Sequence, residues 1–173
     1  NQLMRATVAG MADDGLRGCG VIYMGLMFTV DGPKILEYNM RLGDPETQVL
    51  LPQIQEDLYV VITTLMAGDT PQLTLNGRAY MTMVLAHPQY PKPVDQPVAV
   101  LMPDSNVLSV GAWLPAAVDM DAQGRLSSVG GRIVAIVGEG ENLTAAQLVV
   151  ADLAKQYAGE LAHRNDVGYH AFK

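Results

Sequence analysis

The triplet Glu37-Tyr38-Asn39 is the densest local source of chemistry in this chain. It ends an apolar, strand-like stretch, and in a strand alternate side chains share a face. Glu37 and Asn39 then present two hard oxygen ligands side by side, with Tyr38 turned to the opposite face. Such a pair suits Mg²⁺, which takes a few protein oxygens and completes its shell with water or phosphate. Arg41 falls on the same face and could hold a phosphate or carboxylate through two parallel N–H bonds. A solvated strand face has the same spacing, so the triplet alone leaves both readings open.

The run Gly43-Asp44-Pro45-Glu46-Thr47-Gln48 follows. Asp44 suits a helix N-cap, Pro45 the first helical position and Glu46 the first turn. Capping accounts for Asp44 and Pro45 better than for Thr47 and Gln48. The amides at such a helix start could also hold an anion. Other candidates are weaker. His87, His163 and His170 are scattered, with no cysteine or acid at ligand spacing, and read as surface or loop residues. Asp119 and Asp121 read as a loop, and Ser127-Ser128 lack a nucleophile-elbow pattern. There is no phosphate-binding P-loop and no dinucleotide fingerprint.

The elements that must position these residues follow from periodicity. Residues 3–13 carry apolar positions spaced like a helix face. Residues 20–30 are a long apolar run rich in β-formers, expected to be a strand buried on both faces. Asp31-Gly32-Pro33 marks a turn, and residues 34–40 resume as a strand, giving an antiparallel hairpin. A helix from residue 45 through Leu50, stopped by Pro52, and a second over 56–67 come next. Past residue 70 the character changes. Residues 78–86 alternate as a strand. Residues 87–97 hold four prolines and read as a stiff extended loop. Short strands are expected near 98–102, 107–112 and 125–137, with a turn or bulge at Gly130-Gly131. Asn142 caps a helix through Tyr157.

Composition sets the bounds. Of 173 residues 49% are apolar, which is enough for a core, and 17% are charged. Eighteen acids against 11 bases give a net charge of −7, which argues against nucleic acid and anionic membrane as partners. No apolar run reaches the roughly 18 residues needed to span a bilayer, and no signal peptide is visible. The single Cys19 excludes a disulfide framework, fits a reducing, cytoplasmic setting, and reads as a small buried hydrophobe. The ten methionines read as adaptable core. A chain beginning at Asn1 reads as processed or as a piece of something longer.

Residues 20–27 and then Asp31 through Gln48 closely resemble the glycinamide ribonucleotide synthetases, the phosphoribosylamine–glycine ligases of the ATP-grasp family. The Asp44-Pro45-Glu46-Thr47-Gln48 run separates this family from other ATP-grasp ligases, which share only the Glu-x-Asn-x-Arg part. Fainter similarity continues at Gly130 through Val134 and at Arg164 through Tyr169. One departure stands out. Residues 86–92 keep Tyr90-Pro91 but lack both glycines of the family's Gly-Tyr-Pro-Gly turn.

The resemblance implies an α/β (α+β) chain that is a C-terminal fragment. Residues 1–70 would be the last part of the ATP-grasp core, with a mixed or antiparallel sheet, and 75–173 a β-rich domain with one helix. The missing N-terminal half would carry the nucleotide-gripping lid, so the isolated chain is expected to be inactive. It is also expected to self-associate through residues 1–70. Glu37 and Asn39 would be ligands of Mg²⁺ or Mn²⁺, Arg41 a catalytic residue near the phosphates, and Asp44, Glu46 and Thr47 would border the substrate cleft. The implied reaction uses ATP to make glycyl phosphate from glycine, which 5-phosphoribosylamine then converts to the amide in purine synthesis. The alternatives are another ATP-grasp carboxylate–amine ligase and a non-catalytic interaction module.

Overall fold

The computed structural model describes residues 2–103 and 111–172. In chain order the helices and strands are α1 (Gln2–Asp13), β1 (Tyr23–Thr29), β2 (Gly32–Asn39), α2 (Thr47–Leu50), α3 (Leu58–Met66), β3 (Ala79–Ala86), β4 (Ala99–Val100), β5 (Gly111–Pro115), β6 (Val118–Met120), β7 (Leu126–Ser128), β8 (Arg132–Gly140) and α4 (Leu143–Tyr157). This is a mixed α+β chain with antiparallel sheets, and it divides into two units. One holds the described residues up to Asp44 together with Glu56–Leu73; the other holds Pro45–Gln55 and the chain from Thr74 onward.

In the first unit, α1 stops where Gly15 takes φ +75°. The Leu16 N–H reaches back to Met11 O and the Gly15 N–H to Ala12 O, which satisfies carbonyls the helix end would leave open. β1 and β2 form a two-stranded antiparallel sheet with Thr29 opposite Gly32. The reversal therefore centres on Val30-Asp31, one step before the expected turn. The expectation of a strand buried on both faces is corrected: no residue of β1 or β2 is buried. An apolar run encodes a demand for cover, and within this hairpin no layer meets it. α3 starts at Leu58, two residues later than expected, because Asp57 caps it by accepting the Tyr59 N–H at 2.7 Å. Cys19 is exposed rather than buried, since it lies in the irregular stretch between α1 and β1.

The second unit is built around β8. Its sequence Ile133-Val134-Ala135-Ile136-Val137 is buried on both faces, between β3 and β5 in the order β3-β8-β5. α4 lies along this sheet with Ala146, Val150, Leu153 and Ala154 buried. It approaches so closely that only glycine fits at two β8 positions: a Cβ on Gly138 would meet Ala146 O at 2.4 Å, and one on Gly140 would meet Ala146 N at 2.6 Å. α2 packs on β3 and β8. A second small sheet has the order β4-β7-β6.

Three expectations change here. The stretch 125–137 is two strands in different sheets, broken at Gly130-Gly131. A Cβ on Gly131 would lie 2.5 Å from Tyr90 Cδ2, so the Tyr90 ring occupies the space a side chain needs. Residues 118–120, read as loop around Asp119, form β6, because β7 offers a pairing edge. The following turn is a true loop, and the Arg125 backbone N–H, helped by its guanidinium and the Gln123 N–H, holds the Asp121 carboxyl below its ordinary value. Of the strand expected at 107–112, residues 107–110 lie outside the described residues, and β5 begins at Gly111.

Asn142 caps α4 as expected, its Oδ1 accepting the Ala145 N–H at 3.0 Å. Asn142→Ala is expected to cost about 1 kcal/mol, read as a lower urea midpoint by circular dichroism. An unchanged midpoint would mean that packing on β8 alone sets the helix start.

Candidate functional site

β2 brings Glu37 and Asn39 to one face, and they touch: Asn39 Nδ2 donates to Glu37 Oε1 at 3.1 Å. Glu37 is exposed and Asn39 half-buried. Tyr38 is held by α1. Its hydroxyl lies 2.9 Å from Thr7 Oγ1, and Thr7 spends its own proton on Leu3 O at 3.0 Å. The Tyr38 hydroxyl is therefore the donor. The strand end is thus fixed through Tyr38 while the Glu37 carboxylate faces water.

Two features that set Glu37 escape the strand pattern. The register runs from Gly25–Glu37 to Leu26–Ile35, so Leu36 is an extra residue in β2. Such a bulge re-aims the side chains beside it. Opposite Glu37 stands Gly25, where a Cβ would lie 3.0 Å from Glu37 Cγ and 3.7 Å from Oε1. A glycine inside a strand is the one available sequence sign of such a close approach. Gly25→Ala is expected to push the Glu37 side chain aside and weaken divalent-ion binding by about tenfold. Mn²⁺ titration followed by electron paramagnetic resonance would measure this, and an unchanged affinity would remove Gly25 from the site.

A carboxylate and a carboxamide form a hard donor set of the kind Mg²⁺ or Mn²⁺ accepts, with Asn39 turning its Oδ1 toward the ion. Among the described residues no three of His, Cys, Asp or Glu gather as a metal cage. A pair of this kind supplies two of an ion's positions and leaves the rest to other oxygens, such as water or phosphate. Arg41 is placed differently from the expectation. β2 ends at Asn39, so strand alternation does not extend to Arg41, and its Nη1 donates to Leu42 O at 2.9 Å.

Asp44 is exposed in a turn, while Glu46 and Thr47 are half-buried and belong to the second unit. The helix at this point begins at Thr47, not at Pro45, and Glu46 flanks it in helical conformation without a side-chain cap. α2 is one turn long and continues as a 3-10 turn, Leu51–Gln53, through Pro52. One turn sums few peptide dipoles, so the anion-holding reading of this helix start is withdrawn.

The histidines do not assemble a site. His87 lies in the 87–97 loop but is 4% exposed. Its Nδ1 accepts the Gln89 N–H at 3.1 Å, which leaves the proton on Nε2 for Gln96 O at 2.9 Å. One imidazole thereby pins both ends of the loop. Ser128 is buried and its Oγ accepts the Val98 N–H at 2.9 Å, a structural role. No helix among the described residues is long and apolar enough to cross a membrane.

Comparison with known proteins gives concordant findings. The family described as phosphoribosylglycinamide synthetase, ATP-grasp (A) domain, matches residues 1–47. The phosphoribosylamine–glycine ligase of Streptococcus pyogenes serotype M18 is 33% identical over 173 residues, covering 99% of this chain and 41% of that protein. That of Agrobacterium fabrum is 35% identical over 175 residues, covering 98% of this chain and 40% of its own length. The trifunctional purine biosynthetic protein adenosine-3 of Bos taurus is 33% identical, covering 99% of this chain and 17% of that protein. The crystal structure of a Thermotoga maritima phosphoribosylamine–glycine ligase superposes with a TM-score of 0.76 at 29% identity, covering 92% of this chain and 40% of that one.

Proposed function

We propose that this chain, which is homologous over nearly its whole length to the phosphoribosylamine–glycine ligases and spans about 40% of theirs, supplies the metal- and phosphate-facing part of such a ligase. The observation that carries this reading is the Glu37–Asn39 pair, two touching oxygen-bearing side chains at a strand end inside the matched ATP-grasp segment. The substrates of the whole protein would be ATP, glycine and 5-phosphoribosylamine. A bound Mg²⁺ or Mn²⁺ would neutralise charge on the transferring phosphate. Glu37 and Asn39 would hold that ion. Arg41, whose Nη1 donates to Leu42 O, would offset the charge that develops as the glycine carboxylate attacks the γ-phosphate. By the resemblance, Asp44, Glu46 and Thr47 would belong to the segment that borders the substrate cleft.

The test is ADP formation by the intact ligase with Mg²⁺-ATP and 5-phosphoribosylamine, with and without glycine. Glycine-dependent turnover supports the reading. ADP release that needs a different carboxylate assigns the chain to another ATP-grasp ligase, and a folded protein that binds no Mg²⁺-ATP makes it an interaction module. The 173-residue chain alone is expected to turn over no ATP, since it spans about 40% of its relatives and the resemblance puts the nucleotide-gripping lid in the part it does not cover. It acts in the cytoplasm, where a single reduced thiol is at ease.

Self-association follows from burial. Among the described residues Val61 is the one buried apolar side chain of the first unit, while Phe28 is 80% exposed, Tyr59 75% and Met66 73%. A two-stranded sheet with open edges and uncovered apolar faces pairs readily with a second chain. Light scattering is expected to show a mass that rises with concentration, and Phe28→Lys to suppress it. A monodisperse monomer at high concentration would sink the idea.

A further inference from the structure

The residues given a role in that chemistry do not include the stretch from Arg164 to Tyr169, beside which a cavity of about 470 Å³ opens between β3, α4 and the chain that follows α4. That chain meets β3 where Ala86 and Ala162 exchange two N–H···O bonds of 2.8 Å, and again at Gly168, where a Cβ would lie 2.7 Å from Met81 Cε. Beyond Ala162, alternate residues sort to two sides. His163, Asn165 and Val167 line the cavity. Arg164 and Asp166 pair with each other through bonds of 2.9 and 2.7 Å, and both side chains remain largely exposed. The Gln147 amide, on α4, donates to Val167 O at 3.3 Å and holds the following chain to the helix.

The lining is two-sided in chemistry. Met81 and Met83 of β3, only 7% and 6% exposed, form a soft apolar floor that can adapt to shape. Lys155 brings an ammonium, Asn165 an amide donor and His163 a ring nitrogen. Among the described residues no carboxylate lines the cavity, although the chain carries a net charge of −7. The volume falls in the range of small-molecule sites. We propose that this cavity binds a small molecule with an apolar body and an oxyanion head, carboxylate or phosphate. The body lies against Met81 and Met83, and the head meets Lys155, His163 and Asn165. A cationic ligand finds no countercharge there.

The test labels the methionine methyls of the chain with carbon-13 and follows Met81 and Met83 by NMR. Separate titrations use 4-phenylbutyrate, phenyl phosphate and the uncharged 4-phenylbutanol. Saturable movement of both methyls with at least one anion, and binding of the alcohol about tenfold weaker, is expected. The tighter anion tells a carboxylate head from a phosphate head. Lys155→Gln, an exposed substitution, is expected to weaken the anion about tenfold and leave the alcohol unchanged. Ala151→Leu, with the fold checked by circular dichroism, is expected to block all three. Still methyls at millimolar ligand, equal binding of alcohol and anions, or indifference to Lys155→Gln would each overturn the proposal.

Discussion

Glu37→Ala in the proposed intact ligase is expected to lower kcat by about two to three orders of magnitude, the scale set by removing one charge-stabilising group from a phosphoryl-transfer site. Glu37 carries the one formal charge of the pair, since Asn39 is neutral. Without it, a divalent ion at this pair would keep a single amide oxygen from the strand. Three further readouts separate binding from chemistry. The KM for Mg²⁺-ATP should rise. Raising Mg²⁺ should recover part of the activity. Glu37→Gln, which keeps the shape and drops the charge, should stay close to the alanine variant. Glu37 is exposed at the end of a hairpin, so the folded state should be unchanged by circular dichroism. Activity within a few-fold of the parent would exclude the pair as the metal site.

Gly138→Ala is expected to destabilise the second unit by about 3 kcal/mol, near the top of the usual range for overpacking. The added Cβ would lie 2.4 Å from Ala146 O, 2.8 Å from Val150 Cγ2 and 3.0 Å from Val150 N. Two of these three are backbone atoms of α4, which cannot rotate aside as a side chain can. The helix must lift from β8, and the buried contacts of Val150 and Ala146 go with it. Gly18→Ala is the control, because nothing lies within 4 Å of its Cβ position. Urea unfolding of the two variants should differ plainly, and a loss below about 1 kcal/mol at Gly138 would mean that the helix has slack.

Local rules made part of this molecule legible in its sequence. Asn142 and the reversal near residue 31 could be read because caps and turns are settled by a few adjacent residues. The adjacency of Glu37 and Asn39 follows from the two-residue period of a strand. What stayed hidden depends on distant partners. The bulge at Leu36 and the reason for Gly25 exist only once the hairpin is paired. β6 is a strand because β7 lies beside it, and Asp119 in its middle hides this. Pro45 is compatible with a helix start, but the turn before Thr47 prevails. The apolar run 20–30 announces a wish for cover without saying where cover comes from. His87 is buried because two backbone partners, one of them Gln96, meet both ring nitrogens.

The central strand of the second unit has a bearing on how the molecule is made. β3 pairs with β8, and the Arg78–Glu139 pair at the end of that ladder joins residues 61 positions apart. On a ribosome adding roughly 5–20 residues per second, β3 is complete for several seconds before its neighbour exists. During that interval Met81, Met83 and Leu85 have neither β8 nor α4 to lie against. Closing so long a loop is entropically slow even after release. Until the last third of the chain emerges, β3 is therefore expected to be open to wrong pairing.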